Sequence, residues 1–192
     1  SIDEAFLDLR GMSGVDFDAY AKRISAECWR LTSIPVSVGI APTKTLAKIA
    51  SKLCKQYPKL RGGCYMHRPQ DIEKVLRKFP IGDVWGIGRR TTAKLLEMSV
   101  KTAWDYTQLP EVAVRKLFGL TGLRTWCELR GQPCIEFEDG FEAKQSICVS
   151  RSFAKEISDV DVLAEQIANF ASSMAEKLRE QRSVVTEMAV FA

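Results

Sequence analysis

Two neighbouring carboxylates near the start of the chain are the first residues that could do chemistry. Asp3 and Glu4 lie in an apolar, strand-like segment, residues 1–9. Adjacent acids repel each other unless cations neutralise them. Their oxygens suit Mg²⁺, which typically takes one or two protein carboxylates together with substrate phosphates. Because successive strand residues point to opposite faces, both acids could reach one metal pair only from a turn or strand end. The alternative is an ordinary solvated acidic pair.

A row of lysines is the second candidate. Thr43 can cap a helix that runs to about Gln56 and carries a regular apolar stripe. The lysines of this helix recur at intervals of four, four and three, so they line up on one side of it; they are Lys44, Lys48, Lys52 and Lys55. The row can neutralise a polyanion, or it can be a solvated helix face, which is the alternative for Lys44 and Lys52.

A glycine turn at residues 83–96 (DVWGIGRRTTAKLL) resembles a helix-hairpin-helix element. The free N–H groups at such a helix start can bind a DNA phosphate without recognising base sequence. We expect the glycines to permit close backbone approach and the neighbouring side chains to add contacts; the candidate residues are Gly86, Gly88, Arg89, Arg90, Thr91 and Lys94. Residues 115–123 (RKLFGLTGL) are either a degenerate second copy or a packing turn.

The charge distribution also favours a polyanionic partner. The net charge is only +4, but residues 41–101 contain 14 Lys or Arg and 4 Asp or Glu. No apolar run reaches the length of a membrane span, and no signal peptide pattern is present, so we expect no membrane association. Six cysteines without a C-x-x-C pair, and a single histidine, argue against structural zinc and favour reduced thiols in a cytoplasmic protein.

The apolar periodicity predicts an α+β chain. We expect strands at 1–9, 35–40, 64–66, 147–154 and 186–192, and helices at 16–31, 43–56, 70–78, 89–98, 110–117, 121–130 and 159–181. The glycine- and acid-rich residues 131–146 are predicted to contain a linker. The chain starts at Ser1 without a methionine, and we therefore expect it to be a segment of a longer protein.

Several motifs resemble the Y-family translesion DNA polymerases. Residues 1–8 (SIDEAFLD) resemble the acidic motif of the family's palm, residues 38–55 resemble its following strand and helix, and SRSF within 147–154 is similar to the UmuC-like branch (DNA polymerase V catalytic subunit). The resemblance implies a partial palm with a mixed βα layer at 1–67 and an all-helical thumb with the helix-hairpin-helix at 68–136. It also implies a linker at 137–146 and a truncated βαβ little finger at 147–192.

The resemblance also implies roles for individual residues. Asp3 would bind two catalytic Mg²⁺ ions and Glu4 would assist at the primer end, giving two-metal nucleotidyl transfer. Lys55 corresponds to the family's triphosphate-binding lysine, and Lys48 is a weaker candidate. In the little finger, template phosphates would contact Ser150, Arg151 and Ser152.

The implied activity is error-prone synthesis opposite damaged template in a bacterial SOS response. The substrates would be primer-template DNA and deoxynucleoside triphosphates, and the partners a UmuD-type subunit, a recombinase filament and a sliding clamp. The family's first metal-binding Asp and its fingers precede the motif at 1–8, so we expect the 192-residue chain alone to be inactive. Exposed sheet edges at 1–9 or 186–192 would favour self-association.

Two other kinds of protein remain compatible with the residues alone. One is a helix-hairpin-helix DNA-binding module of a repair complex, for which the acidic pair would be dispensable. The other is a non-catalytic interaction protein with a polymerase-like fold, which would bind no Mg²⁺ near Asp3 and would bind DNA with little salt dependence.

Overall fold

The computed structural model describes residues 3–137 and 145–191, and the chain divides into two compact units, Ser1–Phe137 and Glu138–Ala192. Among the residues the structure describes, the first unit contains a small parallel sheet and six α-helices, and the second contains one long α-helix. Within the described ranges, no helix is both long enough and apolar enough to cross a membrane. The mixed α+β class predicted from the sequence is confirmed.

The N-terminal half of the first unit is a two-stranded parallel sheet covered by helices. Its elements are α1 (Phe17–Thr32), β1 (Val38–Ile40), α2 (Lys44–Gln56) and β2 (Gly63–Tyr65). Val38 pairs with Gly63 and Ile40 with Tyr65. The carboxylate of Asp16 caps α1 by accepting bonds from the N–H groups of Asp18 and Ala19. The crossover connection through α2 is what allows the two strands to run parallel.

Helix α2 lies unusually close to strand β1 because β1 contains a glycine. A Cβ atom at Gly39 would be 2.1 Å from the carbonyl oxygen of Ala47 and 2.3 Å from the amide nitrogen of Ser51. The apolar side of α2, formed by Leu46, Ile49 and Ala50, is fully buried. The close approach at Gly39 therefore sets the distance between the sheet and α2, the helix that carries the lysine row.

The second half of the unit is helical. Its elements are α3 (Pro69–Leu76), a 3₁₀ turn (Ile81–Asp83), α4 (Arg89–Glu97), α5 (Ala103–Thr107) and α6 (Glu111–Leu129). Helix α6 is interrupted at Gly119, where φ is 67° and ψ is −162°, as the predicted break between residues 117 and 121 requires. One hydrophobic core runs from Leu46 and Ile49 of α2 to Leu95, Tyr106 and Leu129.

The second unit holds α7 (Val160–Gln181), close to its predicted bounds. Asp159 caps its start, and Arg182 ends it in the left-handed conformation. The residues that follow expose several apolar side chains, which are Val184, Val185, Met188, Val190 and Phe191. Exposed apolar surface of this kind is consistent with the predicted self-association, which stays a prediction.

Some predicted strands are not found among the residues that the structure describes. Over the described parts of 1–9, 147–154 and 186–192, no strand is assigned. A strand exists only where a second strand completes its ladder of hydrogen bonds, and apolar composition cannot supply that partner. Helix α5 was missed in the prediction because five residues are too few to show a period. Its only local sign is the capping box formed by Thr102 and Asp105.

Candidate functional site

The acidic pair lies beside helix α2. Asp3 and Glu4 are both exposed, in a segment without regular secondary structure. The Oε2 atom of Glu4 accepts a hydrogen bond of 2.7 Å from the Nζ atom of Lys48. The Lys48 side chain is 23% exposed and that of Glu4 48%. This ion pair brings the first candidate, the acidic pair, onto the same surface as the second, the lysine row.

The other lysines of the row differ in their surroundings. Lys44 donates to the carbonyl oxygen of Glu136 at 2.6 Å, and Lys52 forms an ion pair of 3.0 Å with Asp83. Both are partly buried, so neither is the fully solvated lysine that was the alternative. Lys55 is exposed and has no hydrogen bond or ion pair within the part of the chain that the structure describes. Its ammonium group is thus available to an anionic ligand.

An aromatic cluster joins these charges to the glycine turn. The ring centroids of Phe6 and Trp85 are 5.6 Å apart. The Nζ atom of Lys48 lies 4.9 Å from the Trp85 ring centroid, and that of Lys44 lies 5.4 Å from the Phe6 centroid. Cations are attracted to the negative face of such rings. The acidic segment, α2 and the turn before α4 therefore meet at one place.

The glycine turn leaves the backbone at the start of α4 open. Gly86 has φ of 87°, a value that favours glycine, and Gly88 is the N-cap of α4 without a side-chain cap. A Cβ atom at Gly88 would meet no atom within 4 Å, so the start of α4 is open. The first N–H groups of a helix have no intrahelical acceptor, and Arg89 and Arg90 are exposed beside them. This arrangement can bind a phosphate group.

Two other predicted DNA contacts have structural surroundings of their own. Lys94 donates to the carbonyl oxygen of Leu117 at 3.4 Å, and its Nζ atom lies 5.5 Å from the Phe118 ring centroid. It therefore links α4 to the residues just before the break in α6. Thr91 is half-buried in the first turn of α4. A phosphate contact by either residue stays a prediction.

Ser150, Arg151 and Ser152 lie in the second unit. All three side chains are exposed, in a stretch where no strand is assigned. Their predicted contact with template phosphates stays a prediction.

The sequence interpretation missed Glu128, a buried acid of helix α6. Its side chain is 1% exposed, and its carboxylate accepts bonds from the N–H groups of Thr45 at 2.9 Å and Cys134 at 2.8 Å. The hydroxyl of Thr43 donates to the carbonyl oxygen of Glu128 at 2.8 Å. Glu128 thereby holds the start of α2 against α6. The one available signal was a single acid in the otherwise apolar run TWCEL.

The acidic pair fits Mg²⁺ as a partial ligand set. Within residues 3–137 and 145–191 no group of three possible His, Cys, Asp or Glu ligands occurs. Asp3 and Glu4 nevertheless supply exposed carboxylate oxygens of the kind Mg²⁺ accepts, and this ion commonly completes its shell with water and substrate phosphates. All six cysteines carry free thiols.

Comparison with known protein families shows to which family this chain belongs. The profile of the impB/mucB/samB family matches residues 1–52, that of the IMS family HHH motif matches 69–99, and that of the impB/mucB/samB family C-terminal domain matches 144–192. The chain belongs to the impB/mucB/samB family. The predicted resemblance to UmuC-like Y-family polymerases is confirmed, and the HHH match covers Gly86, Gly88 and the start of α4.

Individual relatives match all or nearly all of the chain. Protein MucB of Escherichia coli is 36% identical over 192 residues, and Protein UmuC of Salmonella typhimurium is 37% identical over 193 residues. Each match covers 100% of this chain and 46% of the relative, so the chain spans about half the length of these proteins. DNA polymerase IV of Francisella philomiragia is 26% identical over 183 residues, covering 94% of this chain and 51% of that protein.

A solved structure supports the family's fold. The crystal structure of DinB from Sulfolobus solfataricus matches with a TM-score of 0.53 at 28% sequence identity. The match covers 67% of this chain and 37% of DinB. The polymerase-like α+β architecture therefore rests on similarity of coordinates as well as of sequence.

Proposed function

We propose that this chain is part of an error-prone translesion DNA polymerase that adds deoxynucleotides to a primer end opposite damaged template. The observation that carries the proposal is the 2.7 Å ion pair between Glu4 and Lys48. It joins the acidic motif to the lysine helix, and the same helix contacts the hairpin through Lys48 and Lys52. Carboxylates for cations, ammonium groups for a triphosphate and a backbone grip for DNA thus occur within one unit.

In the proposed reaction each group has a separate task. Asp3 would hold two Mg²⁺ ions and Glu4 would assist at the primer end, and the ions would activate the primer 3′-hydroxyl and neutralise the leaving pyrophosphate. Lys55 would bind the triphosphate of the incoming nucleotide, with Lys48 as the second candidate. Gly86 and Gly88 would let the DNA backbone approach the start of α4.

The cellular setting of the proposal comes from the family relationship. We place the longer protein in the bacterial cytoplasm during an SOS response to DNA damage. A UmuD-type subunit, a recombinase filament and a sliding clamp are its proposed partners. The first metal-binding Asp and the fingers of the family lie before the acidic motif, so we propose that the 192-residue chain alone does not polymerise.

The hairpin proposal predicts a salt-dependent loss of DNA binding in a charge variant. Arg89→Gln with Arg90→Gln should lower the affinity of the 192-residue chain for duplex DNA and reduce the slope of log K against log salt by about 2, because each phosphate contact contributes about 0.9. Fluorescence anisotropy over a range of salt concentrations measures both quantities. Arg23→Gln with Arg30→Gln on α1 is the matched control. An unchanged slope in the α4 variant would remove the hairpin from the DNA interface.

The acidic pair separates the polymerase from a DNA-binding module that carries no chemistry. In the longer protein, Asp3→Asn should lower the rate of nucleotide incorporation by about 100-fold or more, since metal ions supply several kcal/mol of charge stabilisation. Affinity for primer-template DNA should be unchanged. Primer extension and anisotropy measure the two properties, with Asp8→Asn as the control within the same segment. Full incorporation by Asp3→Asn would favour the DNA-binding module, and extension by the 192-residue chain would contradict its proposed inactivity.

A further inference from the structure

Trp85, in the hairpin sequence VWGIG, touches both the acidic segment and the lysine helix. Its indole packs against Phe6 with ring centroids 5.6 Å apart, and the Nζ atom of Lys48 lies 4.9 Å from its centroid. Trp85 is 37% exposed, so it lies at the protein surface and is not part of the buried core. Gly86, the next residue, is held at φ of 87°. The indole is therefore attached to the residue next to the positive-φ glycine of the hairpin turn.

Lys48 connects this indole to the acidic pair. Its ammonium group is bound by the Glu4 carboxylate at 2.7 Å and by the face of the Trp85 ring. A carboxylate that engages a metal ion loses part of its attraction for an ammonium group, whereas the ring face keeps its attraction. The ring can thus keep Lys48 in place when Glu4 changes partner.

A second contact beside the first limits how the hairpin can move. Lys52, one helical turn after Lys48, forms an ion pair of 3.0 Å with Asp83, two residues before Trp85. Its Nζ atom also lies 5.4 Å from the ring centroid of Phe79. Helix α2 therefore holds the approach to the hairpin at two successive lysines, and Lys48 also binds Glu4 of the acidic pair.

We propose that Trp85 is a positioning residue that aligns the acidic pair with the hairpin that grips DNA. It acts through Phe6, two residues after Glu4, and through Lys48, which binds Glu4. A DNA backbone bound at the start of α4 is then held in fixed relation to the carboxylates. The inference rests on the proposed polymerase function for its consequence in catalysis, but the link between Trp85 and Glu4 is a property of the chain itself.

The link can be tested in the 192-residue chain without any activity. Indole N–H signals from ¹⁵N-tryptophan labelling report each tryptophan, and loss of one signal in Trp85→Phe assigns that residue. Lys48→Met should shift the Trp85 signal, and Glu4→Gln should shift it too, because Lys48 then loses its carboxylate anchor. Asp8→Asn, which alters only the nearby Asp8–Arg10 pair, should leave the signal in place. A Trp85 signal that ignores both Lys48→Met and Glu4→Gln would overturn the link.

The role in catalysis is tested in the longer protein. Trp85→Ala should lower kcat by about 10- to 100-fold, since a misplacement of about 1 Å by a mutation away from the reacting groups can cost about 100-fold. The Kd for primer-template DNA should stay within about twofold, because the backbone grip and its arginines remain. Trp85→Phe should recover most of kcat, as it keeps a ring against Phe6 and beneath Lys48. Trp29→Ala on α1 removes a more exposed indole, 56% against 37%, and is the matched control.

The outcomes separate the two proposals. An unchanged kcat in Trp85→Ala, a parallel loss of kcat and DNA affinity, or an equal loss in Trp29→Ala would overturn the positioning role. Failure of the unaltered longer protein to incorporate nucleotides would instead contradict the polymerase function. The signal shifts caused by Lys48→Met and Glu4→Gln would still decide whether Trp85 and Glu4 are linked.

Discussion

Replacing Glu128 by glutamine should lower the free energy of unfolding of the first unit by about 3 kcal/mol, since hydrogen bonds to charged groups contribute about 1.5–3 kcal/mol each. The carboxylate accepts hydrogen bonds from the backbone N–H groups of Thr45, Cys134 and Ile135, with N···O distances of 2.9, 2.8 and 3.3 Å. A glutamine amide can offer one oxygen, but its NH₂ group then faces N–H donors. At least one buried donor loses its acceptor, and α2 loses its anchor on α6.

Urea unfolding followed by circular dichroism measures this loss. Thr45→Val is the matched control, because it keeps the backbone N–H that Glu128 binds and removes a buried hydroxyl without a hydrogen-bond partner among the described residues. That control should be neutral or slightly stabilising, because an unsatisfied buried polar group is itself unfavourable. A Glu128→Gln chain as stable as the unaltered one would show that the buried carboxylate does not hold α2 in place.

Gly39→Ala should be still more damaging, with a loss of more than about 4 kcal/mol, a size reserved for severe core disruption. The added Cβ atom would lie 2.1 Å from the Ala47 carbonyl oxygen and 2.3 Å from the Ser51 amide nitrogen. Both atoms belong to the backbone of α2, so no side-chain rotation can relieve the clash. Strand β1 and α2 must separate, and the apolar side of α2 loses its packing.

Gly88→Ala provides the matched control for Gly39→Ala. The backbone at Gly88 has φ of −83°, and an added Cβ atom would meet nothing within 4 Å. Its cost in unfolding free energy should stay within about 1 kcal/mol, the scale of an N-cap change. Both chains can be compared by thermal and urea unfolding. A Gly39→Ala chain that unfolds like the Gly88→Ala chain would contradict the close approach of β1 and α2.

The helices and the hairpin could be predicted because their signals are local. The apolar period gave α1, α2 and α7 within a residue or two, and the GIG turn located the start of α4. Local patterns could not decide whether residues 1–9 and 147–154 form strands. Their composition suits a strand, but a ladder depends on a second segment that no local pattern identifies.

The site was predicted in part for the same reason. The spacing of the lysines placed them on one side of α2, and in the structure Lys44, Lys48 and Lys52 contact neighbouring elements. It could not show which partners they have, because Glu4, Trp85 and Asp83 reach them through tertiary packing. Glu128 escaped prediction because a buried acid is identified by the distant N–H groups that surround it.

The continuous core of the first unit has a consequence for how the protein can be cut or loosened. Side chains of α2 and side chains of α4, α5 and α6 share the same apolar interior. Truncation at the predicted palm–thumb boundary, between residues 67 and 68, would expose to water the apolar side chains that each piece now buries against the other. The two halves should therefore unfold in one cooperative transition. A mutation that destabilises the sheet should then also destabilise the hairpin.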